Sequence, residues 1–109
     1  MGARVDPVYG YQVGRLQADH VVSMRETTQM YGFSDLSRAR MLEVLNLRTD
    51  MMGLGNRTNA SKGARTWGEW LGHSKLGPVA PSFRQNMIEM EETLRATLQQ
   101  AIRRRLLDE

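Results

Sequence analysis

The stretch whose reading decides the fold is GLGNRTNASKGARTWGEWLGHSKLGPVAP, residues 53–81. It holds six glycines (53, 55, 63, 68, 72 and 77) and prolines 78 and 81, and no apolar period of two or of 3.6 residues runs through it. A helical turn around Trp67–Leu71 is the most it suggests, and Gly68 and Gly72 argue against more. The stretch therefore reads as a long irregular linker. Structureless loops beyond roughly 12–15 residues are uncommon inside compact domains. A chain with such a linker is not expected to be a self-sufficient globule.

On the C-terminal side the pattern changes at once. Ser82 with Gln85 three positions on has the form of a capping box, which ties off two backbone donors. Phe83, Met87, Met90, Leu94, Thr97 and Ala101 then step by three and four, and Leu98, Ile102 and Leu106 widen the stripe. Glutamates 89, 91 and 92 come early and arginines 103, 104 and 105 late, the order that suits a helix dipole. One long amphipathic helix is predicted over 82–108. Its stripe, Phe83, Met87, Met90, Leu94, Leu98 and Ile102, is the candidate helix-docking surface.

On the N-terminal side, Asp6-Pro7 and Gly10 suggest an irregular arm over residues 1–10. Val13, Leu16, His20 and Met24 follow helical spacing, which predicts a helix over about 11–31 closed by Gly32-Phe33. Ser34 or Ser37 can cap a second helix over about 35–52, apolar on most sides, with Leu36, Met41, Leu42, Val44, Leu45, Leu47, Met51 and Met52. Gly53-Leu54 repeats the Gly-apolar stop. The predicted fold class is thus all-α. It comprises a helical hairpin (11–52), the linker (53–81) and the C-terminal helix (82–109), together a single structural unit, as 109 residues allow.

Charge sharpens the picture. Residues 1–52 hold six arginines and six acids, and residues 82–109 hold five of each. The whole net charge of +3 therefore sits in the linker, as Arg57, Lys62, Arg65 and Lys75 against Glu69. Both tryptophans, Trp67 and Trp70, lie there too. Tryptophan anchors interfaces, and glycine lets backbone N–H groups approach phosphate. Arg57, Lys62, Arg65, Trp67, Trp70 and Lys75 are accordingly the candidate partner-binding residues.

Familiar chemical motifs are absent from the sequence. Gly53-Leu54-Gly55 followed by Ser61-Lys62-Gly63 has the wrong order for a phosphate loop, and no strand is expected before it. Asn56-Arg57-Thr58 and Asn59-Ala60-Ser61 match glycosylation triplets but read as turn chemistry. The two histidines, His20 and His73, have no second ligand at a metal spacing, and His20 reads as a core histidine on the inner face of helix one. Cysteine is missing altogether, which excludes a disulfide framework, a thiolate metal site and a cysteine nucleophile. No catalytic, cofactor-binding or metal-binding residues are expected, and the chain reads as a non-enzyme. Of the eight methionines, Met41, Met51, Met52, Met87 and Met90 read as core or interface filler.

These features lead first to a non-catalytic assembly subunit of a large multiprotein complex, such as a virion neck or tail, an organellar respiratory complex or a cytoskeletal lattice. Its helices would dock on neighbouring protein subunits while the basic linker threads between them. The second reading is a small nucleic-acid-binding module that sets the basic strip on phosphates and stacks bases on Trp67 or Trp70. No transmembrane segment is expected, since no run approaches the roughly 18–20 apolar residues a span needs. The opening residues lack the apolar stretch of a secretory signal, so an intracellular location, or one within a virion, is expected.

Overall fold

A computed structural model describes residues 4–108; residues 1–3 of the expected arm, and Glu109, lie outside the described range. About 50% of the chain is helical and 15% is strand, in three small antiparallel sheets. The all-α expectation is therefore corrected to a mixed α/β fold.

In place of the expected first helix stand two short strands and one helical turn, and the expected arm supplies a third strand. β1 (Arg4–Val5) pairs with β2 (Gln12–Val13), and β3 (Gln17–His20) follows. The helical spacing is coincidental. Val13 ends β2, Leu16 packs against the bare backbone of Gly53, His20 ends β3, and Met24 opens α1 (Met24–Thr28). Ser23 caps α1, its Oγ accepting from the Glu26 N–H at 3.1 Å. Gly32 adopts φ +83 and turns the chain into a 3-10 turn at Phe33–Asp35.

The second helix is shorter than expected. α2 covers Arg38–Leu45, with Ser37 as its cap. The chain then makes a 3-10 turn at Arg48–Asp50 and enters β4 (Met51–Leu54), which pairs antiparallel with β3 in the register Gln17↔Leu54 to His20↔Met51. Met51 and Met52 are thus strand residues.

The linker is folded. α3 (Asn56–Lys62) begins directly after β4 and lies against β3 and β5, and β5 (Gly72–His73) pairs with β6 (Gly77–Pro78). α3 has almost no apolar side chain to bury. It is held instead through Thr58, fully buried, whose N–H donates to Tyr11 Oη at 3.1 Å, and through Lys62.

α4 runs from Pro81 to Leu107. Proline occupies the first turn, where its missing N–H costs nothing, and Ala80 is the cap residue. The expected Ser82–Gln85 capping box is not formed. Ser82 lies inside the helix, and the Gln85 amide donates to Glu89. Twenty-seven residues span about 40 Å, which sets the 46 Å long axis of the molecule. The radius of gyration, 15.4 Å, exceeds the ~13 Å of an average chain this long.

The core explains why residues 53–81 fold. Trp67 and Trp70 are buried, in edge-to-face contact at 5.7 Å between centroids. Phe83 lies at 5.7 Å from Trp67, and Tyr9 at 6.3 Å from Trp70. Burying rings of this size contributes about 4–6 kcal/mol each in transfer free energy. Val22, Val44, Leu54, Leu98 and Ile102 complete the same cluster. The segment that looked unable to bury itself supplies the two largest side chains of the core.

Candidate functional site

α3 and the β5–β6 hairpin build one basic face. Arg57 and Ser61, four residues apart, share a side of α3. Arg65 follows the helix, and its Nη1 donates back to the Ser61 carbonyl at 2.9 Å. The hairpin is held in place from a distant part of the chain. Tyr9 Oη donates to the Gly77 carbonyl at 2.6 Å and accepts from the His73 N–H at 2.8 Å. Inside the turn, His73 Nδ1 accepts from the N–H groups of Lys75 (3.0 Å) and Leu76 (3.3 Å). A nitrogen that accepts carries no proton, so the ring proton of neutral His73 is on Nε2.

Two concavities of about 460 Å³ each open on this face. Ser61, Arg65, Glu69, Trp70, Leu71, Gly72 and Ser74 line the first, and Arg57, His73, Ser74 and Lys75 line the second. They adjoin at Ser74. Trp70 braces the first from beneath, its indole N–H donating to Ser61 Oγ at 3.1 Å. Glu69 is exposed, and hydrogen bonds from Thr66 hold its carboxyl below the usual value. Its rim position therefore carries a firm negative charge. The second concavity has no acidic lining residue.

The candidate partner-binding residues divide between this surface and the interior. Arg57, Arg65 and Lys75 are exposed on the basic face. Trp67, Trp70 and Lys62 are inside, at 0%, 2% and 2% exposure. The candidate helix-docking residues divide similarly. Met87, Leu94, Leu98 and Ile102 are buried in the chain's own core, Phe83 is half-buried against Trp67, and Met90 faces solvent. Ser61, Glu69, His73 and Ser74 join the face without any periodic signal. Only the glycines at 72 and 77, which bracket a tight hairpin, mark the place where they meet.

A second set of ionisable groups lies under this face. Lys62 Nζ sits 3.4 Å from Asp19 Oδ2 and 5.1 Å from the Trp67 ring centroid. Glu91 accepts the Trp67 N–H at 3.1 Å, and Arg95 spans Glu91 at 3.9 Å and Glu26 through two contacts. Asp50 accepts the Val22 N–H at 2.8 Å. Burial pushes the carboxyls of Asp19, Asp50 and Glu91 above their ordinary values, outweighing the opposing pull of Lys62 on Asp19 and of hydrogen bonds on the other two. The Trp67 indole N–H, also buried, has no hydrogen-bond partner. None of these charged groups lines either concavity; they join β3, α3, α1 and α4 from within.

His20 is half-buried at the end of β3 rather than on a helix. Its Nε2 lies 2.8 Å from the Leu45 carbonyl. A carbonyl only accepts, so Nε2 carries the proton and Nδ1 keeps a lone pair. Among the described residues, no group of three or more His, Cys, Asp or Glu is placed to hold a metal ion.

No protein-family model, curated protein or solved structure matches this chain.

Among the described residues, no helix is long and apolar enough to cross a membrane. The three arginines near the end of α4 divide as well: Arg105 pairs with Glu43 at 3.0 Å, while Arg103 and Arg104 face solvent.

Proposed function

We propose that the chain is a small nucleic-acid-binding module that holds a phosphate backbone on the face formed by α3 and the β5–β6 hairpin. The observation that carries this reading is the convergence of Arg57, His73 and Lys75 on one concavity without an acidic side chain, with Arg65 beside it. Cations gathered from separate elements suit a polyanion, because each neutralised phosphate releases counterions. Lys62 contributes nothing here, since Asp19 already pairs it inside the fold. The tryptophans are equally unsuited to stacking bases, as both are buried.

The test is fluorescence anisotropy with labelled single- and double-stranded DNA and RNA across a salt series. The three cations of the face, Arg57, Arg65 and Lys75, imply a log–log salt slope of roughly −2 to −3. Arg57→Ala and Lys75→Ala should each shrink that slope by about 1. Negligible affinity for every probe at low salt would remove the reading. Probe integrity is followed on a gel with and without magnesium. Loss of the intact probe would replace simple binding by hydrolysis.

The assembly-subunit reading keeps one specific support. Tyr31, Leu42 and Leu107 are exposed at 78%, 53% and 85%. They lie on or beside the C-terminal half of α4, where Gln99 bonds to the Tyr31 carbonyl and Arg105 to Glu43. Exposed apolar residues gathered at one end suit a protein partner. Native mass spectrometry of the chain with what co-purifies tests it: a monomer that brings down nothing counts against it.

A further inference from the structure

The two adjoining concavities differ in chemistry, and the difference goes beyond backbone binding. The second carries two cations, Arg57 and Lys75, and no carboxylate. The first combines a carboxylate, a guanidinium, the exposed apolar side chain of Leu71 and the Trp70 edge. A volume of about 460 Å³ lies within the roughly 300–1,000 Å³ of small-molecule sites.

Building on the phosphate-backbone reading, we propose that the first concavity is a base subsite that selects an unpaired guanine. Guanine presents two adjacent donors, N1–H and the N2 amino group, and beside them the O6 acceptor. A carboxylate accepts both donors at once, and Glu69 supplies one on the rim. A guanidinium offers five N–H donors, and Arg65, with Nη1 used on the Ser61 carbonyl, keeps others for O6. Leu71 gives the purine face an apolar contact. Adenine has one donor on that edge and no O6, and pyrimidines lack the paired donors. The firm ionisation of Glu69, held by Thr66, keeps the acceptor available.

Strandedness follows from the same chemistry. N1–H and N2 lie on the pairing edge of guanine, so a duplex hides them from Glu69. The ligand is therefore single-stranded, with its phosphate at Arg57, His73 and Lys75 and its base across Ser74 at Glu69 and Arg65.

The experiment compares a labelled oligothymidylate with versions carrying one central guanine, adenine or inosine, in DNA and RNA forms. The guanine probe should bind the wild-type chain about tenfold or more tightly than the adenine probe. Inosine, which lacks the N2 amino group, should fall between them. Annealing a complementary strand should abolish the preference. Glu69→Gln keeps an oxygen for the Thr66 N–H; it should erase the preference and, by removing a negative charge from the rim, tighten binding to plain oligothymidylate. Equal affinity for guanine, adenine and inosine probes, or a guanine preference that survives in Glu69→Gln, overturns the subsite and leaves the backbone reading standing. Absence of salt-dependent binding to any probe overturns both. The inosine comparison uses the wild-type chain, so it decides the question even if a variant folds poorly.

Discussion

Replacing Lys62 by methionine tests whether the ion pair beneath the basic face holds the fold together. Methionine keeps most of the aliphatic stem that Lys62 buries and removes only the ammonium. Two contacts go with it, the 3.4 Å pair with Asp19 and the 5.1 Å approach to the Trp67 ring. Removing one partner of a fully buried pair costs about 3–5 kcal/mol. Asp19 keeps a side-chain exposure of 14%, which softens that penalty, while the lost cation–π contact adds about 0.5–2 kcal/mol. The expected loss is about 2–4 kcal/mol, or roughly 10–20 °C in melting temperature. The pH dependence gives the result its signature. Burial already raises the Asp19 carboxyl despite Lys62, and Lys62 is among the groups pulling it down. Without the ammonium, the carboxyl rises further. A carboxyl raised in the folded state is penalised where it must ionise, so the variant's deficit is largest near neutral pH. It shrinks as pH falls from about 7 to about 4 and Asp19 takes up its proton. Urea unfolding at several pH values, with Asp19→Asn and the double variant completing a cycle, measures this. The double variant should lose less than the sum of the single losses. A Lys62→Met loss under about 1 kcal/mol, or one that is the same at both pH extremes, would refute the reasoning.

The buried carboxyls lead to a related expectation. Asp19, Asp50 and Glu91 are all raised by burial, so their contribution to stability is fully present below the ordinary carboxylate range and is lost as pH rises through their folded values. Glu91→Gln, which still offers an oxygen to the Trp67 N–H, should flatten that decline and be at least as stable as the parent at neutral pH, as thermal melts across pH would reveal. Tyr9→Phe removes both hydrogen bonds that clamp the β5–β6 hairpin; it should cost about 1–3 kcal/mol and speed amide exchange at His73. Gly72→Ala should cost more than about 1 kcal/mol. Gly72 sits at φ +124, and an added Cβ would meet the Gly77 carbonyl and Tyr9 Oη. Weaker oligonucleotide binding should accompany that loss.

The C-terminal helix was legible because Met87, Leu94, Leu98 and Ile102 form an unambiguous stripe that is indeed buried. The stripe still misplaces one position. Met90 is exposed and Glu91 is buried beside it, because Glu91 has a backbone partner in Trp67 that no one-dimensional pattern reveals. The β3–β4 pairing was hidden for a similar reason. Gln17 and Asp19 alternate toward α3, where polar groups, Asn59 and Lys62, receive them at 2.8 and 3.4 Å. A strand whose outward side chains meet polar partners shows no apolar alternation. α3 is invisible to periodicity because Thr58 and Lys62 are what it buries. The basic residues of the site were legible from segment charge; their division into outward Arg57, Arg65 and Lys75 and inward Lys62 depended on where Asp19 falls.

The polar clamps of the N-terminal segment bear on how the chain is made. Asp6 bonds to the Gly55 N–H and Tyr11 to Thr58, 49 and 47 positions away, and Tyr9 reaches Gly77 across 68. During synthesis these early residues leave the ribosome long before their partners exist. β3 must likewise wait for β4, and the tryptophan cluster for α4. Apart from the local β1–β2 pair, the first twenty residues therefore wait for residues 51–77, and the tryptophan cluster closes only with α4. Contacts of this range slow folding. They also make the N-terminal edge the place where a nascent chain is most open to other proteins.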